Sequence, residues 1–313
     1  MKTFKIIIIA WLSTICCLTV QAQQVPMYTH YMNNTLMVNP AYAGSRDALT
    51  VTVLQRLQWI DFAGAPSTNS ITLHMPLADT HVGLGLSILN DKIGPSYNTS
   101  VVLDYAYMLK LNDYSKLSLG LSAGANIIQT DLSTLQLETP GDPAFANDIK
   151  GKVTPDFGVG IYYSREKFYA GISVPNILQN SYSIVDQNDV STTIGKERRH
   201  YFLIAGSLID LNEDLAFKPT GLLKYTAGAP IQADMTGSFV IKKRFMVGVM
   251  YRTGDAVGGL AGFDITDQLH IGYSYDWSFG LKTSMYNQGS HEFVLRYDFI
   301  CFDKKRIRSP RNF

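Results

Sequence analysis

Side chains suited to proton transfer or metal binding are thinly spread in this 313-residue chain. His74, His270 and His291 stand far apart, with no His-Glu-x-x-His, Gly-x-Ser-x-Gly or clustered ligand spacing around them. Asp276 and His270 fall on one face of a strand-like run, six residues apart, too distant to act directly as a catalytic pair. Gly83/Gly85 and Gly158/Gly160 alternate within apolar runs, where a phosphate cradle is implausible; they read as places of close backbone approach or curvature. We assign no catalytic residue, no metal ligand and no cofactor, and the chain is not expected to be an enzyme.

Two other sets of residues carry chemistry of a different kind. Arg56, Asp104, Lys110, Asp156, Lys218, Lys224, Asp234, Arg252, Asp264, Asp276, Glu292, Arg296 and Asp298 all fall on the polar side of alternating runs. Mixed signs on one surface form either ion pairs or the lining of an aqueous channel, and pairing is the simpler reading. The second set is Asn39-Pro40-Ala41-Tyr42, which precedes the first run. Pro40 fixes its own φ and biases Asn39 toward extended backbone, while Asn39 can bond nearby backbone groups as in an Asx turn. Tyr28, Tyr31, Met32, Met37 and Tyr42 around it are costly to leave in water, so residues 23–47 are expected to fold back and fill a lumen.

The elements that must position these residues have a period of two. Leu49, Val51, Val53 and Leu57 share one face of a run whose other face carries Thr50, Thr52 and Arg56. Ile271, Tyr273, Tyr275 and Trp277 likewise oppose His270, Gly272, Ser274 and Asp276. Such runs predict fourteen strands, over 48–59, 69–77, 82–90, 97–110, 116–129, 155–163, 167–174, 200–209, 215–225, 231–241, 245–252, 256–265, 268–277 and 291–301. Most approach the roughly 9–11 residues a tilted strand needs to cross a bilayer. Short polar links (78–81, 111–115, 164–166, 210–214, 242–244, 266–267) alternate with longer ones (60–68, 91–96, 130–155, 175–199, 278–290). That pattern fits an all-β, antiparallel transmembrane barrel of the outer membrane, with both termini on the periplasmic side. Aromatics at run ends, such as Trp59, Tyr107, Trp277 and Phe299, suit interfacial girdles better than the core of a secreted sandwich.

Composition agrees. Apolar residues make up 46% and charged residues only 17%, with mean hydropathy +0.02, which excludes a disordered chain. A net charge of +1 gives no basic field for nucleic acid. Lys2 and Lys5, the apolar run 6–20 and Ala22 read as a signal peptide over 1–22. Loss of that leader removes Cys16 and Cys17 and leaves Cys301 without a disulfide partner. The expected organisation is a signal peptide (1–22), a lumen or hatch segment (23–47), a barrel (48–302) and a basic periplasmic tail (303–313).

Several motifs together resemble one family. They are Gln24-Val-Pro-Met-Tyr-Thr-His-Tyr-Met-Asn33, Asn39-Pro-Ala-Tyr-Ala-Gly44, Gln55-Arg-Leu-Gln-Trp59, Asn90-Asp-Lys-Ile-Gly-Pro95, Phe168-Tyr-Ala-Gly-Ile-Ser-Val-Pro-Asn176 and Glu197-Arg-Arg-His-Tyr-Phe202. They are similar to the PorP/SprF outer-membrane proteins of type IX secretion and gliding motility, and the likeness runs through the whole mature chain. The tail Ser309-Pro-Arg-Asn-Phe313 departs from the family pattern at Asn312, where an aromatic is usual. The resemblance implies a non-enzymatic role in secretion or surface anchoring. Its implied partners are outer-membrane lipids, the C-terminal sorting domain of an exported protein, and periplasmic secretion components. Candidate partner contacts are Asp142 in the loop motif Pro140-Gly-Asp-Pro143, Arg198 and Arg199 in the 175–199 link, and Lys304, Lys305 and Arg306 in the tail. Asn39-Pro-Ala41 also looks like the hatch of a FadL-like outer-membrane channel for small hydrophobic molecules, which is the competing reading.

Overall fold

A computed structural model describes residues 26–135, 148–185, 191–279 and 287–300. Its strands are β1 (Leu49–Leu57), β2 (Ser67–Pro76), β3 (Val82–Ile93), β4 (Ser96–Asn112), β5 (Ser115–Thr130), β6 (Ile149–Arg165), β7 (Phe168–Val174), β8 (Ser181–Val185), β9 (Ser191–Lys196), β10 (His200–Ser207), β11 (Ile209–Asp210), β12 (Leu215–Thr226), β13 (Gln232–Ile241), β14 (Phe245–Arg252), β15 (Ala256–Asp264), β16 (Leu269–Ser278) and β17 (Ser290–Phe299).

Consecutive long strands pair antiparallel. Three ladders join strands that are not consecutive: β7 with β10, past the β8–β9 hairpin, β10 with β12, past β11, and β1 with β17, starting at Leu49 opposite Phe299, which closes the ring. Leaving aside the separate β8–β9 hairpin and the two-residue β11, which pairs with β12, the result is a closed barrel of fourteen strands. Closure removes every sheet edge, the condition for a β-structure to sit in lipid.

The distribution of side chains is the reverse of a soluble protein's. Leu103, Leu121, Ile172 and Val249 lie on the exposed outside, 54–71% accessible, while Thr52, Arg56, Asp104, Asp234 and Glu292 are buried within. An apolar outer belt with a polar interior is what a lipid-facing barrel requires. Among the described residues no helix is long and apolar enough to cross a membrane.

The expected strands all occur, with three differences. β4, β5 and β6 run 16–17 residues, longer than expected. The expected strand starts at Pro155, yet β6 begins at Ile149 and continues through it, and the Pro155 carbonyl accepts from Asn180. Because β3 and β4 also extend, the link between them shrinks to Gly94–Pro95. The third difference is the β8–β9 hairpin, found where a plain loop was expected.

The barrel's first and last strands begin and end at the short-turn end, but the described chain does not start there. Lys224 Nζ, near the long-loop end of β12, lies 3.6 Å from Met27 Sδ, and Arg46 bonds Asp298 at the short-turn end. Residues 26–47 therefore run through the barrel from the long-loop end to the short-turn end before β1 turns back along the wall. The expectation of both chain ends on one side holds for the strands and not for the first described residues.

Candidate functional site

The interior contains one continuous assembly, made of residues 27–46 and the wall they touch. The segment is rich in turns: residues 29–33 are a turn, and two single 3-10 turns follow, Thr35–Met37 and Pro40–Tyr42, joined by Val38 in the helical region and Asn39 in extended backbone. Part of its backbone is satisfied within the segment, Asn33 N donating to the His30 carbonyl and Asn34 N to the Tyr31 carbonyl, and the wall supplies further partners.

At the long-loop end, Glu292 accepts from two successive backbone N–H groups, Thr29 at 2.9 Å and His30 at 2.6 Å. Its Oε1 also lies 2.9 Å from His30 Nδ1. Arg56 Nη1 sits 2.7 Å from Asp276 Oδ2 and 3.0 Å from Glu292 Oε2, and it donates to Thr29 Oγ1 at 3.1 Å. Thr29 Oγ1 in turn donates to Asp276 at 2.6 Å. Strand pairing makes this possible, because Arg56 is directly opposite Glu292 and Asp276 opposite Ser290, bringing β1, β16 and β17 to one point. Charges this deeply buried persist only when paired, and here Arg56 meets two carboxylates that also take hydrogen bonds from the segment, although Arg56 Nε and Asp276 Oδ1 find no partner among the described residues.

Further along, Asn34 donates to Ser70 and accepts from Thr72, while Asn33 accepts from Arg296. Tyr31 bonds Thr220 across the lumen at 3.0 Å, and burial pushes its hydroxyl up to about 12, so it stays a neutral phenol. Tyr28 is likewise raised above the ordinary tyrosine range by burial, with Asp91 and Glu292 adding to the effect.

Asn39 Oδ1 accepts from Ala41 N at 3.0 Å, closing an Asx turn, and its Nδ2 donates to the Ile161 carbonyl at 2.9 Å. Pro40 and Ala41 are buried in the turn this sets. The Tyr42 ring meets His74 and Tyr162 edge-on at 5.2 and 5.3 Å. Arg46 pairs Asp298 with two bonds, and Thr50 donates to the same carboxylate. Burial opposes the Arg46 charge, but Tyr42 and Asp298 beside it raise its pKa above the usual arginine range.

The wall is shaped to the segment. Gly83, Ala106, Gly120, Gly160 and Ser173 lie opposite one another through successive ladders, forming one row across β3–β7. Residues 38–44 cross this row. Ser173 donates to the Val38 carbonyl at 2.7 Å. A β-carbon would meet Asn39 at 2.0 Å from Gly160, Ala41 N at 2.1 Å from Gly120, and the Ala43 carbonyl at 2.1 Å from Gly83. Gly44 holds φ +73° and lies over the Gly83 backbone, where a side chain is excluded on both counts.

Most of the polar-face charges read from sequence meet partners here. Arg56, Asp276, Glu292 and Asp298 hold the segment, and Arg252 pairs the directly opposite Asp234. Lys110 departs from the expectation, since it is exposed at the short-turn end of β4 rather than inside. Asp264 is half-exposed and pairs His270 at 2.7 Å, so His270 and Asp276 face different partners. Arg199 donates to the Ile177 carbonyl and, with Arg198, is half-buried in its link. Asp142, Lys304, Lys305 and Arg306 lie outside the described residues. Sequence reasoning missed Thr29 and His30 as contact residues of Glu292, whereas Gly83 and Gly160, read as places of close approach, abut Ala43 and Asn39.

A family model described as type IX secretion system membrane protein PorP/SprF matches residues 20–297. No curated protein matches the chain. Among solved structures, the chain is similar to the CymD monoaromatic hydrocarbon channel at 12% identity, over 86% of this chain and 93% of that one, with TM-score 0.49. It is also similar to the Acinetobacter baumannii outer membrane protein Omp33, at 10% identity over 82% and 100%, with TM-score 0.45. A third is the COG4313 outer membrane channel from Pseudomonas putida F1, at 12% identity over 82% and 98%, with TM-score 0.42.

Proposed function

The chain belongs to the PorP/SprF family of type IX secretion system membrane proteins, and from that premise we propose that it aids the secretion or surface anchoring of exported proteins. It sits in the outer membrane as a lipid-facing barrel. In this reading it engages the C-terminal sorting domain of an exported protein, periplasmic components of the secretion machinery, or both. The observation that carries the reading is the family match over residues 20–297, nearly the whole barrel.

The filled interior lends support. With residues 27–46 packed from one end to the other, the bore serves poorly as a free-diffusion pore, and residues 23–47 act as a hatch fixed by Asn39, Pro40, Ala41 and Tyr42. We place the short-turn end in the periplasm, following the loop-length asymmetry of such barrels. Arg198, Arg199 and Asp142 then belong to the external face that meets the exported partner, and Lys304, Lys305 and Arg306 to the periplasmic tail that meets the machinery. Periplasmic engagement connects this role to gliding motility in organisms that glide.

A channel for small hydrophobic molecules is the second reading, favoured by the hatch-like Asn39-Pro40-Ala41. Deleting the gene separates the two. Loss of a sorting-domain protein from the cell surface, with hydrophobic uptake unchanged, supports secretion. Normal surface display with impaired uptake overturns it.

A further inference from the structure

The outside of the barrel is uneven. On β3–β6 the apolar belt presents Leu84, Leu103, Leu121 and Ile161 to the lipid. On β10–β15 two neighbouring ladder rows carry smaller groups, Ala205–Gly221 and Pro219–Gly237–Val249–Gly259, of which only Val249 projects. They floor an apolar groove of about 940 Å³ walled by Phe217, Met235, Tyr251 and Tyr275. Phe168, the first residue of β7, lies at its short-turn end, and Tyr275, late in β16, at the other. From β10 to β16 the groove crosses five strand spacings. At about 4.8 Å each these make about 24 Å, and with strands tilted about 40° the groove climbs about 15 Å. That is half of a hydrocarbon core about 30 Å thick, the depth of one leaflet. A membrane-crossing partner protein would need twice that height.

Three adjoining turns form the rim below the groove. Lys167 pairs Asp210, and Lys242 N donates to the Asp214 carbonyl at 2.6 Å, which joins turns 166–167, 211–214 and 242–244. Lys242 and Lys243 hold φ +50° and +55° in a tight turn closed by Arg244 N on the Ile241 carbonyl. Such a turn favours Asn and Gly, so the lysines stand here against local preference. Lys242, Lys243 and Arg244 are exposed and form no ion pair among the described residues. Glu213 and Asp214 beside them are exposed carboxylates. The rim therefore offers cations for a phosphate next to anions for an ammonium, directly below an apolar slot one leaflet deep. We propose that this surface binds one zwitterionic glycerophospholipid, with an acyl chain along Pro219, Gly237 and Gly259 and the phosphate on the Lys242–Lys243–Arg244 turn. The bilayer itself supplies the occupant, since the groove lies on the lipid-facing side. That the leaflet concerned is the periplasmic one rests on the orientation given above, which cysteine labelling reads separately.

The test is native mass spectrometry of the full-length barrel, extracted in mild detergent and exposed to dioleoyl phosphatidylethanolamine. One phospholipid per barrel is expected to survive conditions that strip the remaining lipid. Gly259→Leu fills the groove, since a β-carbon there meets nothing within 4 Å, and should lower retention about tenfold. Ala123→Leu, on the outward face of β5, should leave retention unchanged. Lys242→Asn with Lys243→Gly and Arg244→Gln installs the residues the turn prefers. Its folded band on unheated gels should therefore survive to at least the parent's temperature while retention falls about fivefold. A turn with a purely structural role would keep both. Parent protein that retains no phospholipid overturns the proposal, as does equal retention by parent and Gly259→Leu. Lipopolysaccharide or a second copy of the chain held in place of the phospholipid overturns it too. If Gly259→Leu fails to fold, the turn variant decides alone, and retention equal to the parent's overturns the proposal. All of this is read on the purified barrel, so failure of the lipid site leaves the gene-deletion test of secretion untouched.

Discussion

Replacing Gly120 by alanine tests whether the segment is seated against the wall as described. The new β-carbon would stand 2.1 Å from Ala41 N, 2.5 Å from Ala41 Cα and 2.6 Å from the Pro40 carbonyl carbon. Ordinary contact begins near 3.4 Å, so the segment must move by about 1.3 Å. The wall cannot retreat, because Gly120 is laddered to Ala106 on one side and Gly160 on the other. Overpacking of this kind costs about 1–3 kcal/mol. Displacement also strains the two buried Asn39 hydrogen bonds, at about 1 kcal/mol each. A total of about 3–5 kcal/mol raises the ratio of unseated to seated segment by about two to three and a half orders of magnitude, at about 1.4 kcal/mol per tenfold. A cysteine at Met32, which is 3% exposed, reports this in a Cys301→Ser background. Maleimide labelling in detergent is expected to rise about a hundredfold in Gly120→Ala. Gly221→Ala is the control, since its β-carbon meets nothing closer than 3.9 Å. Gly160→Ala should have a smaller effect, because the Asn39 amide it meets at 2.0 Å can rotate away while the Ala41 backbone cannot. Equal labelling of Gly120→Ala and parent would refute the seating.

Glu292→Leu removes the acceptor of two backbone N–H groups and leaves Arg56 with Asp276 alone, a loss of about 3–5 kcal/mol for a buried pair broken on one side. The temperature at which the folded band disappears on gels should fall clearly, and less so for Glu292→Gln, whose amide oxygen still accepts; identical behaviour of the two contradicts the role of the charge. Arg252→Met strands the buried Asp234 opposite it, while Arg252→Met with Asp234→Leu should recover much of the lost stability on the same gels; no recovery argues against a pairwise interaction. For orientation, Lys150→Cys at the long-loop end should react with an impermeant thiol reagent on whole cells and Thr80→Cys should not; the reverse pattern inverts the barrel in the membrane.

The barrel was legible because alternation leaves little freedom. Once Val53, Gln55 and Leu57 face one way, Thr52, Leu54 and Arg56 must face the other, and the bilayer decides which side is which. Leu54 breaks the polar face and is fully buried, a sign that the interior is packed rather than watery. Which lumen charges pair was not legible, since Arg56 meets Glu292 only through a ladder between the first and last strands, a closure that no local pattern encodes. The turn at Asn39 was readable from Pro40 and the Asx chemistry, whereas the direction of threading was not. That direction follows from where Thr29 and Arg46 find their partners, Glu292 and Asp298, at opposite ends of one strand. The expected sixth strand starts at Pro155, whereas β6 begins at Ile149 and runs through it, although a proline within a strand usually marks an edge or a bulge.

The most direct test of a filled lumen is single-channel conductance in planar bilayers, comparing the full-length protein with one lacking residues 24–47. A seated segment predicts little or no conductance for the full-length barrel and a large, stable conductance for the truncated one, with both inserting equally. A full-length protein that already conducts at the level of the truncated barrel would contradict the account.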